Sequence, residues 1–188
     1  PVAQQPAVTS TFRSNVVGQV FPNIPANIQA ACEDGNGQVM FFSGPDVRIY
    51  DINTGQVAGP IPASSAGLPD NVDAAVNGYN GKLYFFKGAQ YWRYDIATDS
   101  MDDGYPRPIS AGWSGLPNNI DAAVRTGNKR LVFVAGDAIY NWDMTTDTIV
   151  PGVGSMQRDL PGLSRLDAAT TAGQGQPLYI ANGQVYMR

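Results

Sequence analysis

The chain has 188 residues, a formal net charge of −4 and only 12 lysines and arginines, spread along it with one adjacent pair, Lys129-Arg130, so it lacks the basic stripe that captures a phosphate backbone, and nucleic acid is excluded as a partner. It contains no histidine and a single cysteine, Cys32, which removes the commonest general base, every Ser-His or Cys-His catalytic arrangement, His-based zinc sites and any intrachain disulfide framework. Apolar residues make up 43% and charged residues 15%, the balance of a compact one-domain globule, and no apolar run approaches the roughly 18 residues of a membrane span.

In chain order, the segment from Thr9 to Val17 is rich in β-branched residues and stops before Phe21-Pro22-Asn23-Ile24-Pro25, which predicts a strand followed by a break. Ile28-Gln29-Ala30-Ala31-Cys32 then opens a pattern that returns as Val72-Asp73-Ala74-Ala75-Val76, Ile120-Asp121-Ala122-Ala123-Val124 and Leu166-Asp167-Ala168-Ala169-Thr170, at steps of 44, 48 and 46 residues. Periods of that size mark a repeat architecture. Each start is followed by Gly/Asn punctuation, an aromatic or β-branched run such as Lys82 to Lys87, a glycine, and a second run such as Gln90 to Asp95. These read as strands joined by tight turns. A third hairpin turn is predicted at Asp51-Ile52-Asn53-Thr54-Gly55, Asp95-Ile96-Ala97-Thr98-Asp99 and Asp143-Met144-Thr145-Thr146-Asp147, where Asp, Asn and Thr close turns through side-chain to backbone hydrogen bonds and tolerate positive φ. Pro-, Ser- and Gly-rich connections follow, and short helices are expected near Ser64, Ser110 and Met156, capped by serines. The fourth unit reaches Arg188 within its third strand, so the segment near residues 9–17 is expected to supply its outer strand and close the ring.

Gly81-Lys82-Leu83-Tyr84-Phe85-Phe86-Lys87-Gly88-Ala89-Gln90-Tyr91-Trp92-Arg93-Tyr94, with Asp73-Ala74-Ala75 before it, resembles a hemopexin repeat, and the other units match less completely over roughly residues 21–188. The resemblance implies an all-β, four-bladed β-propeller with short connecting helices, its blades at about 21–67, 68–115, 116–162 and 163–188. The paired alanines are expected on the innermost strands, where four chains converge and only small side chains fit. The cystine that ties first and last blades in the family cannot form here, since Cys32 has no partner in the chain.

The chemistry of the residues disfavours an enzyme. Cys32 stands in the register of Val76, Val124 and Thr170 and reads as a buried small hydrophobe. Glu33-Asp34 and Asp102-Asp103 read as solvated turn acids rather than a catalytic pair. What the family resemblance implies instead is a channel ion. The main-chain carbonyls of Gln29, Asp73, Asp121 and Asp167 would hold Ca²⁺ or Na⁺, and the backbone at Ala31, Ala75, Ala123 and Ala169 a second ion, hard oxygen ligands suiting either cation. The competing reading is that the Asp side chains bind neighbouring amides. Similar four-repeat proteins include sugar-binding lectins and storage albumins that bind haem or polyamines. The expected function is therefore non-enzymatic recognition of a glycan or other small molecule, with Asn71, Asn118 and Asn119, beside Asp70, as hydrogen-bonding groups and Trp113 as a stacking face. Haem or polyamine binding is the alternative, although haem would have only Tyr, Met or Cys to ligate it. A homodimer through an exposed propeller face is compatible with the fold. The single cysteine and the lack of a signal peptide and of an Asn-x-Ser/Thr sequon favour a cytosolic over a secreted location.

Overall fold

The computed structural model describes residues 13–171 and 177–187. The first strand, β1 (Arg13–Val16), is set apart from the sheet that follows it in sequence. That sheet is β2 (Ala30–Glu33), β3 (Gln38–Ser43), β4 (Asp46–Asp51) and β5 (Val57–Pro62), paired antiparallel in order. The second comprises β6 (Ala74–Asn77), β7 (Lys82–Lys87) and β8 (Gln90–Asp95), with β9 (Ser100–Met101) and β10 (Arg107–Pro108) both on the outer side of β8. The third repeats that plan with β11 (Ala122–Thr126), β12 (Arg130–Ala135), β13 (Ala138–Asp143), β14 (Thr148–Ile149) and β15 (Gly154–Ser155). The fourth is β16 (Ala168–Thr171), β17 (Pro177–Ala181) and β18 (Gln184–Met187), and β1 is its outermost strand, with Arg13 opposite Met187 and Val16 opposite Gln184. Of the segment expected there, residues 9–12 lie outside the described residues. Val17 leaves the strand to begin a helical turn, α1 (Val17–Val20). β2, β6, β11 and β16 lie side by side around the axis, which makes the molecule a four-bladed, mainly β propeller.

Alternating side chains on each strand serve opposite interfaces, because successive Cβ atoms point to opposite faces of a sheet. On β7, Leu83 and Phe85 pack toward the first blade while Tyr84 and Phe86 pack toward the third. On β12, Leu131 and Phe133 face the second blade and Val132 and Val134 the fourth. The core is thus four interblade layers rather than one mass. The innermost alanines, Ala30, Ala31, Ala74, Ala75, Ala122, Ala123, Ala168 and Ala169, are all buried, as the crowding at the axis requires.

Each layer is wedged by the connection that precedes an inner strand. In three of them a single helical turn places two large buried side chains four residues apart: Val17 and Phe21 from α1, Ile109 and Trp113 from α2 (Ile109–Gly112), and Met156 and Leu160 from α3 (Met156–Asp159). In each, the second residue donates its N–H to the carbonyl of the first, at 2.7, 2.8 and 2.9 Å. The fourth wedge, between first and second blades, is a 3₁₀ turn (Ala63–Ala66) that offers Ala63 and Gly67 at the corresponding places. The short helices therefore occur where expected, but their caps differ. Ser64 and Ser110 lie inside their turns behind Pro62 and Pro108, and only Ser155 caps, accepting from the Arg158 N–H at 3.3 Å. Proline wins the first two positions because it has no N–H to leave unpaired and its fixed φ leads into the turn.

The third hairpin turns form as their sequences predict. Asp51 accepts from the N–H groups of Asn53 and Thr54, both at 2.9 Å, Asp95 from those of Ala97 and Thr98 at 2.8 and 3.1 Å, and Asp143 from that of Thr145 at 2.8 Å. The turns end on Gly55, Asp99 and Asp147 at φ of 69, 53 and 55°.

Candidate functional site at the channel mouth

Gln29, Asp73, Asp121 and Asp167 stand just before the four inner strands. Each donates its backbone N–H to the second strand of its own blade, reaching the carbonyls of Phe42, Phe86, Val134 and Ile180 at 2.9, 2.9, 2.8 and 2.8 Å. Each side-chain oxygen also accepts the N–H of the residue 15 positions on, at the turn between second and third strands: Gly44 at 2.6 Å, Gly88 at 2.7 Å, Gly136 at 2.6 Å and Asn182 at 2.6 Å. The ring of acids is thus a ring of clamps, and Gln29 does the same with its amide oxygen. These side chains border an open bowl of about 620 Å³, lined also by Asn27, Asn119, Ser164 and Arg165. Three carboxylates face one guanidinium there, Arg165, which pairs with Asp167 at 2.8 Å.

At the opposite end of the inner strands the channel closes. Glu33, Asn77, Arg125 and Thr171 occupy equivalent places on β2, β6, β11 and β16. Arg125 pairs with the Glu33 carboxylate at 2.9 Å, the Thr171 hydroxyl donates to it at 2.6 Å, and the Asn77 amide donates to the Glu33 carbonyl at 3.3 Å. The Tyr79 ring lies against the Arg125 guanidinium, 5.2 Å from its centroid, and the Tyr79 hydroxyl reaches the Thr126 carbonyl. Only about 10 Å³ remains free among the inner strands at this level, room for one atom-sized occupant.

This end corrects two expectations. Glu33 is not a solvated turn acid: only 8% exposed, it ends a strand and points into the plug, while its neighbour Asp34 turns away and accepts from Asn36 and Gln38. Asp102 is likewise held between Lys82, at 2.9 Å, and Arg93. Both cations keep its carboxyl below the usual carboxylate range, the Lys82 hydrogen bond contributing most. Cys32 is buried, and that burial, with Asp34 and Glu33 nearby, pushes its thiol far up, so it stays protonated and inert.

The proposed ligand residues divide. Asn71 and Asn119 are exposed at left-handed φ of 48 and 57°, their N–H groups bonded to the Gly44 and Gly88 carbonyls of the preceding blade at 3.0 and 2.9 Å. Asn118 is exposed beside Asn119, and Asp70 pairs with Lys87. Trp113 is not a stacking face. It is 3% exposed, wedged among Tyr84, Phe86, Phe133 and Trp142 at centroid distances of 4.9 to 5.6 Å, and has no surface left for a sugar. An aromatic residue in a Pro/Ser/Gly-rich connection looked exposed; the helical turn folds it inward instead. Two residues of the mouth escaped the sequence reading. Asn27 and Arg165 stand two positions before Gln29 and Asp167, as Asn71 and Asn119 stand before Asp73 and Asp121. The same repeat arithmetic carried two residues upstream finds them.

The comparisons bear on this geometry. The hemopexin family model matches residues 72–118, the whole second inner strand, its hairpins and the wedge carrying Trp113. The chain has the hemopexin fold. Solved hemopexin-fold structures similar to it include a seed albumin from Lathyrus sativus (TM-score 0.72, 19% identity, 84% of this chain and 83% of that one), a hemopexin fold protein from cow pea (0.72, 16%, 83% of both) and a plant lectin with two metal binding sites from Cicer arietinum (0.71, 18%, 82% of both). At these identities the likeness is one of fold. No match is found among curated proteins. Among the described residues no helix is long and apolar enough to cross a membrane.

Proposed function

We propose that this hemopexin-fold propeller is a non-enzymatic recognition module that binds a carbohydrate over the channel mouth. The observation that carries the reading is the set of polar groups there: Asn27, Asn119, Ser164 and Arg165 line an open bowl of about 620 Å³ together with Gln29, Asp73, Asp121 and Asp167, and Asn71 stands at the corresponding place before Asp73. Planar amides, carboxylates and a guanidinium in a polar bowl suit a ligand rich in hydroxyls, which both donates and accepts. With Trp113 buried, recognition rests on hydrogen bonds rather than stacking.

A cation fits the same mouth. As the hemopexin resemblance implies, the main-chain carbonyls of Gln29, Asp73, Asp121 and Asp167 would hold Ca²⁺ or Na⁺, and a second ion would sit at the backbone of Ala31, Ala75, Ala123 and Ala169 beneath, while each Asp side chain gives one oxygen to a turn amide. When bound, the ion supplies a fixed positive charge that orients ligand oxygens. The side chains do the rest: the clamps hold the strand starts in place, and the Glu33–Arg125 plug leaves the mouth as the open end. Nothing here favours haem. Cys32 stays protonated, and Tyr94, raised to about 12 by burial and its bond to Asp99, is a poor source of phenolate.

A glycan array followed by calorimetry on the best hit, with and without chelator, tests the reading. Saturable binding that drops at least tenfold in Asn27→Ala plus Asn119→Ala is expected, and chelator sensitivity ties it to the ion. A folded protein silent across the array overturns the carbohydrate reading.

A further inference from the structure

The wedge between first and second blades is the one built without large side chains. Where the other three layers receive Phe21, Trp113 and Leu160, this one has Gly67, and where they receive Val17, Ile109 and Met156 it has Ala63. A cleft of about 490 Å³ opens at this layer. Clefts of about 450 and 440 Å³ open at the next two layers as well, but those carry arginines, Arg93 and Arg107 in one and Arg158 in the other. Met40, Ile49, Ile61 and Ile96, each half-buried, form the aliphatic wall of the first cleft, and Asn36, Gln38, Ser65 and Tyr94 line it too. Two carboxylates stand in its lining, Asp34 and Asp99, and no lysine or arginine does. Asp34 uses one oxygen for the Asn36 and Gln38 amides, at 2.7 and 3.0 Å, and Asp99 one for the Tyr94 hydroxyl. Neither is in an ion pair among the described residues.

We propose that this cleft is a second binding site, for an organic ammonium ion with an apolar body. The size, and a lining that sets apolar walls against convergent polar groups, are those of a small-molecule site. A cleft lined by one sign of charge on low-dielectric walls concentrates the opposite charge, and the aliphatic wall rewards an apolar body that leaves water. A carboxylate ligand meets repulsion from two acids. A polyamine satisfies the charges but leaves the walls uncovered. The site lies between blades, away from the mouth residues, and is independent of the carbohydrate reading.

The test titrates the intact protein with n-octylammonium, n-octanoate, n-octanol and spermine, by calorimetry and by methyl chemical shifts in NMR spectra. Octylammonium is expected to bind best, at least tenfold tighter than octanoate and tighter than spermine, with shifts centred on Ile49, Ile61 and Ile96. Asp34→Asn plus Asp99→Asn preserves the turn acceptors and should remove the preference over octanol while leaving octanol binding intact. Ala66→Trp, at an exposed position on the cleft wall, should fill the cleft and abolish binding without loss of fold. Equal affinity for octanoate and octylammonium, tighter binding of spermine, or shifts that fall outside the cleft overturns the proposal. Glycan binding at the mouth, measured on the Ala66→Trp variant, stays unchanged if the two sites are separate.

Discussion

Asp73 shows how one residue ties its blade together: its backbone N–H holds β7, its carboxylate holds the Gly88 turn and its chain continues into β6. A charge-assisted bond of this kind to a backbone amide is among the stronger ones, about 1.5–3 kcal/mol. Asp73→Ala should cost about 2 kcal/mol in urea unfolding, and Asp73→Asn roughly half of that, because the amide keeps an acceptor as Gln29 does in the first blade. An Ala variant as stable as the parent would mean that the turn holds itself. Arg125 poses the opposite case, since removing it strands the buried Glu33 carboxylate. With Arg125 partly exposed, Arg125→Ala should cost about 2–3 kcal/mol, at or below the lower end for broken buried pairs. Adding Glu33→Gln should recover part of the loss, and a double mutant no more stable than the single one would refute the account. The Asp positions were legible from the sequence because they recur. The plug was not, because Glu33, Asn77, Arg125 and Thr171 share a place and no chemistry, so the repeat hides them.

At the level of elements, the hairpins were legible because their turns carry Asp and Gly at positions that only special backbone conformations need, and the wedge turns because Ser, Pro and Gly break the strand pattern. What each wedge does was not legible: Trp113 and Gly67 both end their turns, and only the packed interface shows that Trp113 is buried among aromatic rings while Gly67 brings no side chain to its layer. The second blade adds a clamp of its own. Lys82 on β7 pairs with Asp95 on β8 and with Asp102, which also takes Arg93, so the outer turn is held by charge. Asp95 and Asp102 are both lowered, with the Lys82 hydrogen bond as the largest cause. A carboxylate lowered on folding contributes stability that is present above its unfolded value, about 3.9, and is lost as pH falls through the folded one. The unfolding midpoint should therefore drop on acidification below about pH 4, and Asp102→Asn should flatten that limb while lowering the plateau at neutral pH. An unchanged acid limb in Asp102→Asn would place the sensitivity elsewhere.

For the whole molecule the question is how a ring without a cystine stays shut. The answer in the structure is β1, which joins the two ends of the chain by lying on the edge of β18. Val17 donates its N–H to the Gly183 carbonyl at 3.0 Å, in the same register as the Asn15–Val185 pair. Since hydrogen-bonded pairs alternate in an antiparallel ladder, Asn15 also turns its N–H toward β18. Its side chain is exposed, so Asn15→Pro removes ladder bonds without disturbing the core. Releasing β1 unseats Val17 and Phe21, the wedge of the layer between fourth and first blades, where Phe21 packs on Phe41 and Tyr50 at 4.8 and 5.1 Å. Opening at this seam should therefore be cooperative across two blades rather than local. Amide exchange in Asn15→Pro is expected to speed up by at least tenfold in β18 and in the Val17–Phe21 turn, with β7 and β12 nearly unchanged, and the bared β18 edge should drive concentration-dependent association. Acceleration spread evenly over all four blades would show instead that the ring unfolds as one unit and that β1 is not its latch.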